Sequence, residues 1–122
     1  MARGPIRSYE DLEAWQLAMA CVELVYRASS GFPPDERFGL TAQVRRAAVS
    51  VPSNIAEGYG RNARPDYLRF LRIARGSLYE VETQLLVAVR LGFLGEGEHR
   101  EIQAKLAEAG RVLAGLIRSL EK

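Results

Sequence analysis

A chain of 122 residues, 48% hydrophobic and 26% charged, has room for one hydrophobic core and carries no run near the roughly 18 apolar residues of a membrane span. Its single cysteine, Cys21, rules out a disulfide within the chain, and the opening MARGPIRSYEDLEAW lacks the apolar centre of a secretion signal, so a reducing cytoplasm is the expected setting. The net charge of +2 hides an uneven spread: Arg37 to Gly76 hold eight arginines against two acids, a balance of +6, while the rest of the chain balances at −4.

Four segments repeat apolar residues at alternating spacings of three and four, the seam of one helical face. Ser8, with Asp11 three residues on, has the pattern of a capping box, and Leu12, Trp15, Met19, Val22 and Tyr26 follow, predicting a first helix over 9–28. The loop SSGFPPDE leads to a second helix over 36–58 with the seam Thr41, Val44, Ala48, Val51 and Ile55. Pro52 lies inside it, lacks an N–H and crowds the carbonyl of Ala48. A helix ending there, with Ser53 or Asn54 as a new N-cap, is the competing reading; the unbroken apolar phase favours a helix kinked at Pro52.

GYGRNARPD breaks the chain again, and Pro65 suits the first turn of a third helix over 64–91, with the seam Leu71, Ala74, Leu78, Val81, Leu85 and Ala88. Gly92 is the expected stop before a fourth helix over 97–120, whose seam is Ile102, Leu106, Ala109, Leu113, Leu116 and Leu120. No stretch alternates with period two. The predicted class is all-α: a single antiparallel up-down four-helix bundle, because short connections return each helix along the one before it.

The polar faces carry the functional signal. On the third helix Arg69, Arg72, Arg75 and Arg90 share the arc opposite the seam with Tyr79 and Thr83, a basic stripe with an aromatic that suits phosphates and stacked bases. The same arginines would also serve as a solvated face, and Glu80 and Glu82 at its margins reduce its potential. Beside the seam, Phe70, Ile73, Val87 and Leu91 form an apolar flank wider than one helix of a monomer needs, which points to self-association into a homo-oligomer. On the second helix Arg46, Ser50, Ser53, Asn54 and Glu57 make a polar stripe of small side chains, expected to contact another helix or subunit.

Nothing in the sequence organises catalysis. His99, the one histidine, stands among Glu96, Glu98 and Glu101; there is no metal-ligand spacing, no phosphate-cradling glycine loop and no nucleophile with a base. The expectation is a non-catalytic protein with no cofactor and no metal.

The stretches YEDLEAWQLA, FGLTAQVRRAAVSVPSNIAEGYGR, YLRFLRIARGSLYEVETQL and LGFL together resemble the four-helix-bundle family named after proteins encoded in intervening sequences of bacterial 23S ribosomal RNA. The likeness covers most of residues 8–95, with Ala63 and Pro65 departing from the small polar and lysine-like residues usual before helix three. The motif falls on Arg45, Arg46, Pro52, Asn54, Glu57, Gly58, Gly60, Arg61, Phe70, Leu71, Gly76, Ser77 and Glu82. Pro52, Gly58, Gly60, Gly76 and Ser77 read as geometry and packing; Arg46, Asn54 and Glu57 read as contact-forming groups.

The resemblance implies a ring-forming bundle, a homopentamer, associated with RNA. A more distant relative is the accessory variability determinant of diversity-generating retroelements, a pentameric basic barrel that binds nucleic acid and a reverse transcriptase. The candidate RNA-contacting residues are Arg45, Arg46, Arg61, Arg64, Arg69, Arg72, Arg75, Tyr79 and Arg90. The alternatives are a protein-interaction scaffold, such as a reverse transcriptase partner, and a purely structural oligomer.

Overall fold

The computed structural model describes residues 4–122: four helices, α1 (Glu13–Ser29), α2 (Leu40–Tyr59), α3 (Arg64–Arg90) and α4 (Glu96–Leu120), with short 3-10 turns at Tyr9–Asp11 and Pro34–Glu36. No strand occurs among the described residues. Each helix packs against its neighbours in sequence, and α1 closes the set against α4; the diagonal pairs do not approach at the backbone.

The first helix starts later than its capping box predicts. Ser8 Oγ accepts from the Glu10 N–H at 3.1 Å, and Asp11 Oδ2 accepts from the Ser8 N–H at 3.2 Å, so the box closes the 3-10 turn. Leu12 is extended (φ −74°, ψ 127°), which ends that turn, sends its side chain into the core and lets α1 begin at Glu13. The second helix is also shorter at its start, because Pro34–Glu36 form their own turn. Glu36 Oε1 then accepts from the Leu40 N–H at 2.9 Å, placing a carboxylate at the N-terminus of α2. From Leu40 to Tyr59 the helix is unbroken, with buried Pro52 in its interior.

Helix α3 ends as the glycine pattern predicts. Gly92 has φ +79°, and the N–H groups of Phe93 and Gly92 donate to the carbonyls of Ala88 (2.8 Å) and Val89 (3.0 Å). That pair of bonds satisfies carbonyls that would otherwise lack partners, in a conformation only glycine enters freely.

The α3 seam buries all six predicted residues. In α4 the buried stripe is Ile102, Leu106, Ala109, Leu113 and Ile117, with Leu116 and Leu120 packed half-buried beside it. In α2, Val44, Ala48, Val51 and Ile55 are buried and Thr41 is half-buried. Helix α1 corrects its predicted seam. Its buried stripe is Ala14, Ala18, Cys21, Val25 and Ala28, while Trp15 and Val22 are half-buried and Met19 and Tyr26 are exposed. The interior takes the short side chains of α1 and leaves the bulkier ones on the flank toward α2.

Candidate nucleic-acid interface

The arginine-rich stretch spans α2, the turn after it and the first half of α3, and these cations fall into two sets. One set is engaged within the fold. Arg45 donates from Nε to Ser29 Oγ (2.7 Å) and from Nη2 to the Tyr26 carbonyl (3.2 Å), with its guanidinium 4.5 Å from the Tyr26 ring centroid. It thereby ties α2 to the C-terminal carbonyl end of α1, where a cation is favoured. At the α2–α3 corner the half-buried Phe70 ring has the guanidinium of Arg61 at 4.8 Å and that of Arg69 at 4.5 Å. Arg61 pairs with Glu57 (3.1 Å), and Arg69 with Asp66 (3.8 Å). Arg64 Nη1 donates to the Lys122 carbonyl, and Arg72 pairs with Glu121 at 2.9 Å, so both reach the end of α4.

The other set is free. Among the described residues, the side chains of Arg46 and Arg75, and outside that stretch those of Arg90 and Arg111, form no hydrogen bond, ion pair or ring contact. Arg75 and Arg111 line one groove of about 310 Å³ between α3 and α4, together with Tyr79, Glu82 and a floor of Leu78, Leu106, Ala107, Gly110 and Ala114. Tyr79 is 59% exposed, and its carbonyl accepts the Thr83 hydroxyl at 2.9 Å. Glu82 Oε2 accepts from Gln103 Nε2 at 3.1 Å, which holds the groove's one carboxylate against α4. Arg111 lies on α4, far in sequence from the arginine-rich stretch; only the packing of α4 against α3 brings it beside Arg75.

The polar stripe of α2 divides in three. Ser50 Oγ lies 2.9 Å from Ser77 Oγ on α3, and Asn54 Nδ2 donates to Ser50 O (2.8 Å) and Oγ (2.9 Å). Arg46 lines a groove of about 430 Å³ with Gln43, Ala47, Ser50, Glu80 and Gln84, in which Gln84 Oε1 is buried without a hydrogen-bond partner. Ser53 faces the other way, into an apolar groove of about 330 Å³ with Tyr9, Trp15, Met19, Val22, Val49, Pro52 and Ala56. Glu57 meets Arg61 rather than Arg46.

The motif glycines differ in setting. A Cβ on Gly58 would lie 2.8 Å from Phe70 Cβ and 3.1 Å from the Tyr67 carbonyl, so α2 and α3 meet there too closely for any side chain. Gly60 has an ordinary right-handed backbone (φ −75°), and a Cβ on Gly76, exposed in the middle of α3, would meet nothing within 4 Å. The apolar flank of α3 is open, with Ile73 42% exposed one turn before Gly76, and Val87 39% and Leu91 59% exposed near the helix end. No helix among the described residues is long and apolar enough to cross a membrane.

Known proteins share this architecture. Among solved structures, the chain is similar to a protein of unknown function from the S23 ribosomal protein family of Bacteroides thetaiotaomicron, with a TM-score of 0.77 and 21% identity over 86% of this chain and 95% of that one. A likeness at that identity establishes the fold alone. No curated protein matches the chain. Residues 10–115, most of its length, match the family described as 23S rRNA-intervening sequence protein, as the motif from Arg45 to Glu82 implied. The chain therefore belongs to the 23S rRNA-intervening sequence protein family.

Proposed function

We propose that this chain is a non-catalytic, cytoplasmic RNA-binding protein that works as a ring, a homopentamer of antiparallel up-down four-helix bundles. The observation that carries the RNA reading is the α3–α4 face, where the unpaired guanidinium groups of Arg75 and Arg111 flank the exposed ring of Tyr79. Cations already neutralised by Glu57, Asp66 and Glu121 add less to a phosphate site than cations with no partner. The family's name ties its members to ribosomal RNA genes and agrees with an RNA partner.

Contacts between helix ends support the antiparallel arrangement: Gly58 near the end of α2 meets Tyr67 and Phe70 near the start of α3, and Arg64 at the start of α3 meets Lys122 beyond the end of α4. Assembly is supported by two unfilled surfaces, the apolar groove between α1 and α2 and the α3 flank that carries Ile73, bare Gly76, Val87 and Leu91 along its length. A groove and a stripe on different faces make a head-to-tail contact, which closes into a ring when the rotation allows. A ring repeats each basic face and converts a modest local charge into avidity.

Titrating structured RNA at about 50 and 200 mM salt tests the proposal. Micromolar binding that falls steeply with salt, and weakens in the Arg75→Ala/Arg111→Ala variant, supports it. No binding at the lower salt ends it. Light scattering on a sizing column tests the ring, and a strict monomer at tens of micromolar refutes it. One observation favours a second reading, a scaffold for a protein partner such as a reverse transcriptase: Phe38 in the α1–α2 loop is 84% exposed, with only the Arg37 guanidinium against it at 4.7 Å.

A further inference from the structure

Resting on the RNA-binding reading, we infer that the groove between α3 and α4 is a site for one unpaired nucleotide, so that this protein selects single-stranded or looped RNA over duplex. The base lies on the face of Tyr79, and its phosphate lies between Arg75 and Arg111.

The argument begins with the aromatic rings. Four aromatic side chains among the described residues are substantially exposed, and three have a partner: Tyr9 meets Trp15 edge-on at 5.4 Å, Tyr26 is covered by Arg45, and Phe38 by Arg37. Tyr79, 59% exposed, has neither a ring nor a guanidinium against it, although Arg75 lies on its own helix face and Arg111 across the groove. At Tyr26, Phe38 and Phe70 this fold lays an arginine over the ring. On the α3–α4 face it sets two arginines beside a ring and leaves the ring open.

An open ring flanked by cations has a specific use. A phosphate-only surface gains nothing from an aromatic, because the faces of paired bases are already stacked inside a duplex. A ring face becomes useful when the base is unpaired, and stacking is then tolerant of sequence. The charge fits one nucleotide: two guanidinium groups and the single carboxylate of Glu82 leave one net positive charge, that of one phosphodiester's counterpart. The space fits as well. About 310 Å³ lies at the lower end of the roughly 300–1,000 Å³ range of small-ligand pockets. Ala107, Gly110 and Ala114 on its α4 wall are small, so a planar group can lie beside Tyr79.

The test is fluorescence anisotropy with a short labelled single-stranded RNA and with the duplex of the same sequence, using the full chain at about 50 mM salt. The single strand is expected to bind at least about tenfold more tightly. Tyr79→Ala is expected to weaken single-strand binding by roughly tenfold and to leave duplex binding unchanged, while Tyr79→Phe, which keeps the ring, retains the preference. Arg111→Ala is expected to weaken single-strand binding and lower its salt slope by about one. Photo-crosslinking of the unmodified protein to a 5-iodouridine strand is expected to label Tyr79. Equal affinity for strand and duplex, or a Tyr79→Ala variant that weakens both alike or neither, overturns the inference, as does crosslinking confined to residues outside the groove. Those outcomes leave the RNA-binding reading intact; failure to bind any RNA at low salt removes that reading itself.

Discussion

The hydroxyl oxygens of Ser50 on α2 and Ser77 on α3 lie 2.9 Å apart, and one donates to the other across the contact between the two helices. Ser77 is 6% exposed, so its hydroxyl depends on this bond for much of the water it gave up on folding. Asn54 adds a donor to Ser50 Oγ, leaving the Ser50 proton free for Ser77. Ser77→Ala is expected to lower stability in urea by about 1 kcal/mol. A double-mutant cycle with Ser50→Ala should give a coupling of roughly 0.5–1 kcal/mol, and additive effects would show that the pair contributes nothing jointly.

Gly58→Ala should be more damaging than its size implies. The added methyl meets Phe70 Cβ and the Tyr67 backbone, neither of which is the loose end of a side chain, so α2 and α3 must separate. Overpacking of this kind costs about 1–3 kcal/mol, larger than the gain of up to about 1 kcal/mol in helix propensity. Thermal unfolding measures the difference; an unchanged Tm would mean the helices can part freely there.

Gly76→Ala should act in the opposite sense within the protomer. Nothing lies within 4 Å of the new methyl, and a glycine inside a helix costs about 1 kcal/mol relative to alanine. The variant's protomer is expected to gain about that amount while its assembly weakens, because the methyl fills the bare point beside Ile73 on the open flank of α3. Light scattering against concentration checks the second half, and an unaltered assembly curve would place the subunit contact elsewhere.

Arg45→Ala should reduce stability and spare RNA affinity. It removes the Ser29 bond, a cap on the Tyr26 carbonyl and the guanidinium over the Tyr26 ring, together expected to cost about 1–2 kcal/mol. Arg45→Lys cannot reproduce the planar fork and should recover only part of that. A large fall in RNA binding with an unchanged melting curve would return Arg45 to the contact surface.

Stability should decline on the alkaline side. Burial pushes the Cys21 thiol up to about 12, with Lys105 opposing and Glu108 reinforcing the shift; burial also raises the Tyr67 phenol, with Tyr59 adding to it. Both groups ionise more readily in the unfolded chain. Their contribution is therefore complete below the ordinary thiol range, near 8.5, and is lost as pH rises through that range toward the folded values. Urea midpoints between about pH 8 and 11 should fall, and Cys21→Ala should flatten the lower part of the slope. Cys21, 4% exposed, should react with thiol reagents only after unfolding.

The parts of this molecule legible in the sequence are those where size and period coincide. In α3 the six predicted seam positions are leucine, valine or alanine and all are buried, so the 3-4 spacing marks most of the buried stripe, with Leu68 and Ser77 buried beside it. In α1 the larger apolar residues Trp15, Met19, Val22 and Tyr26 keep the same spacing one position away from the true seam, so size and spacing together mark the flank. The arginine surface was legible as a count and not as an arrangement. Glu57–Arg61 and Asp66–Arg69 follow from helical spacing, but Arg72–Glu121 and the groove joining Arg75 to Arg111 depend on how α4 lies against α3.

The short-chain seam of α1 gives this helix an inverted mutational signature. Ala14, Ala18 and Ala28 have no volume to lose, so the cavity-forming truncations that damage α3 at Leu71, Leu78 or Leu85 have a counterpart in α1 only at Val25. What α1 cannot absorb is enlargement. Under random substitution, α3 would tolerate similar bulk and reject reduction, whereas α1 would reject growth at every third or fourth residue and accept change on either side of that line.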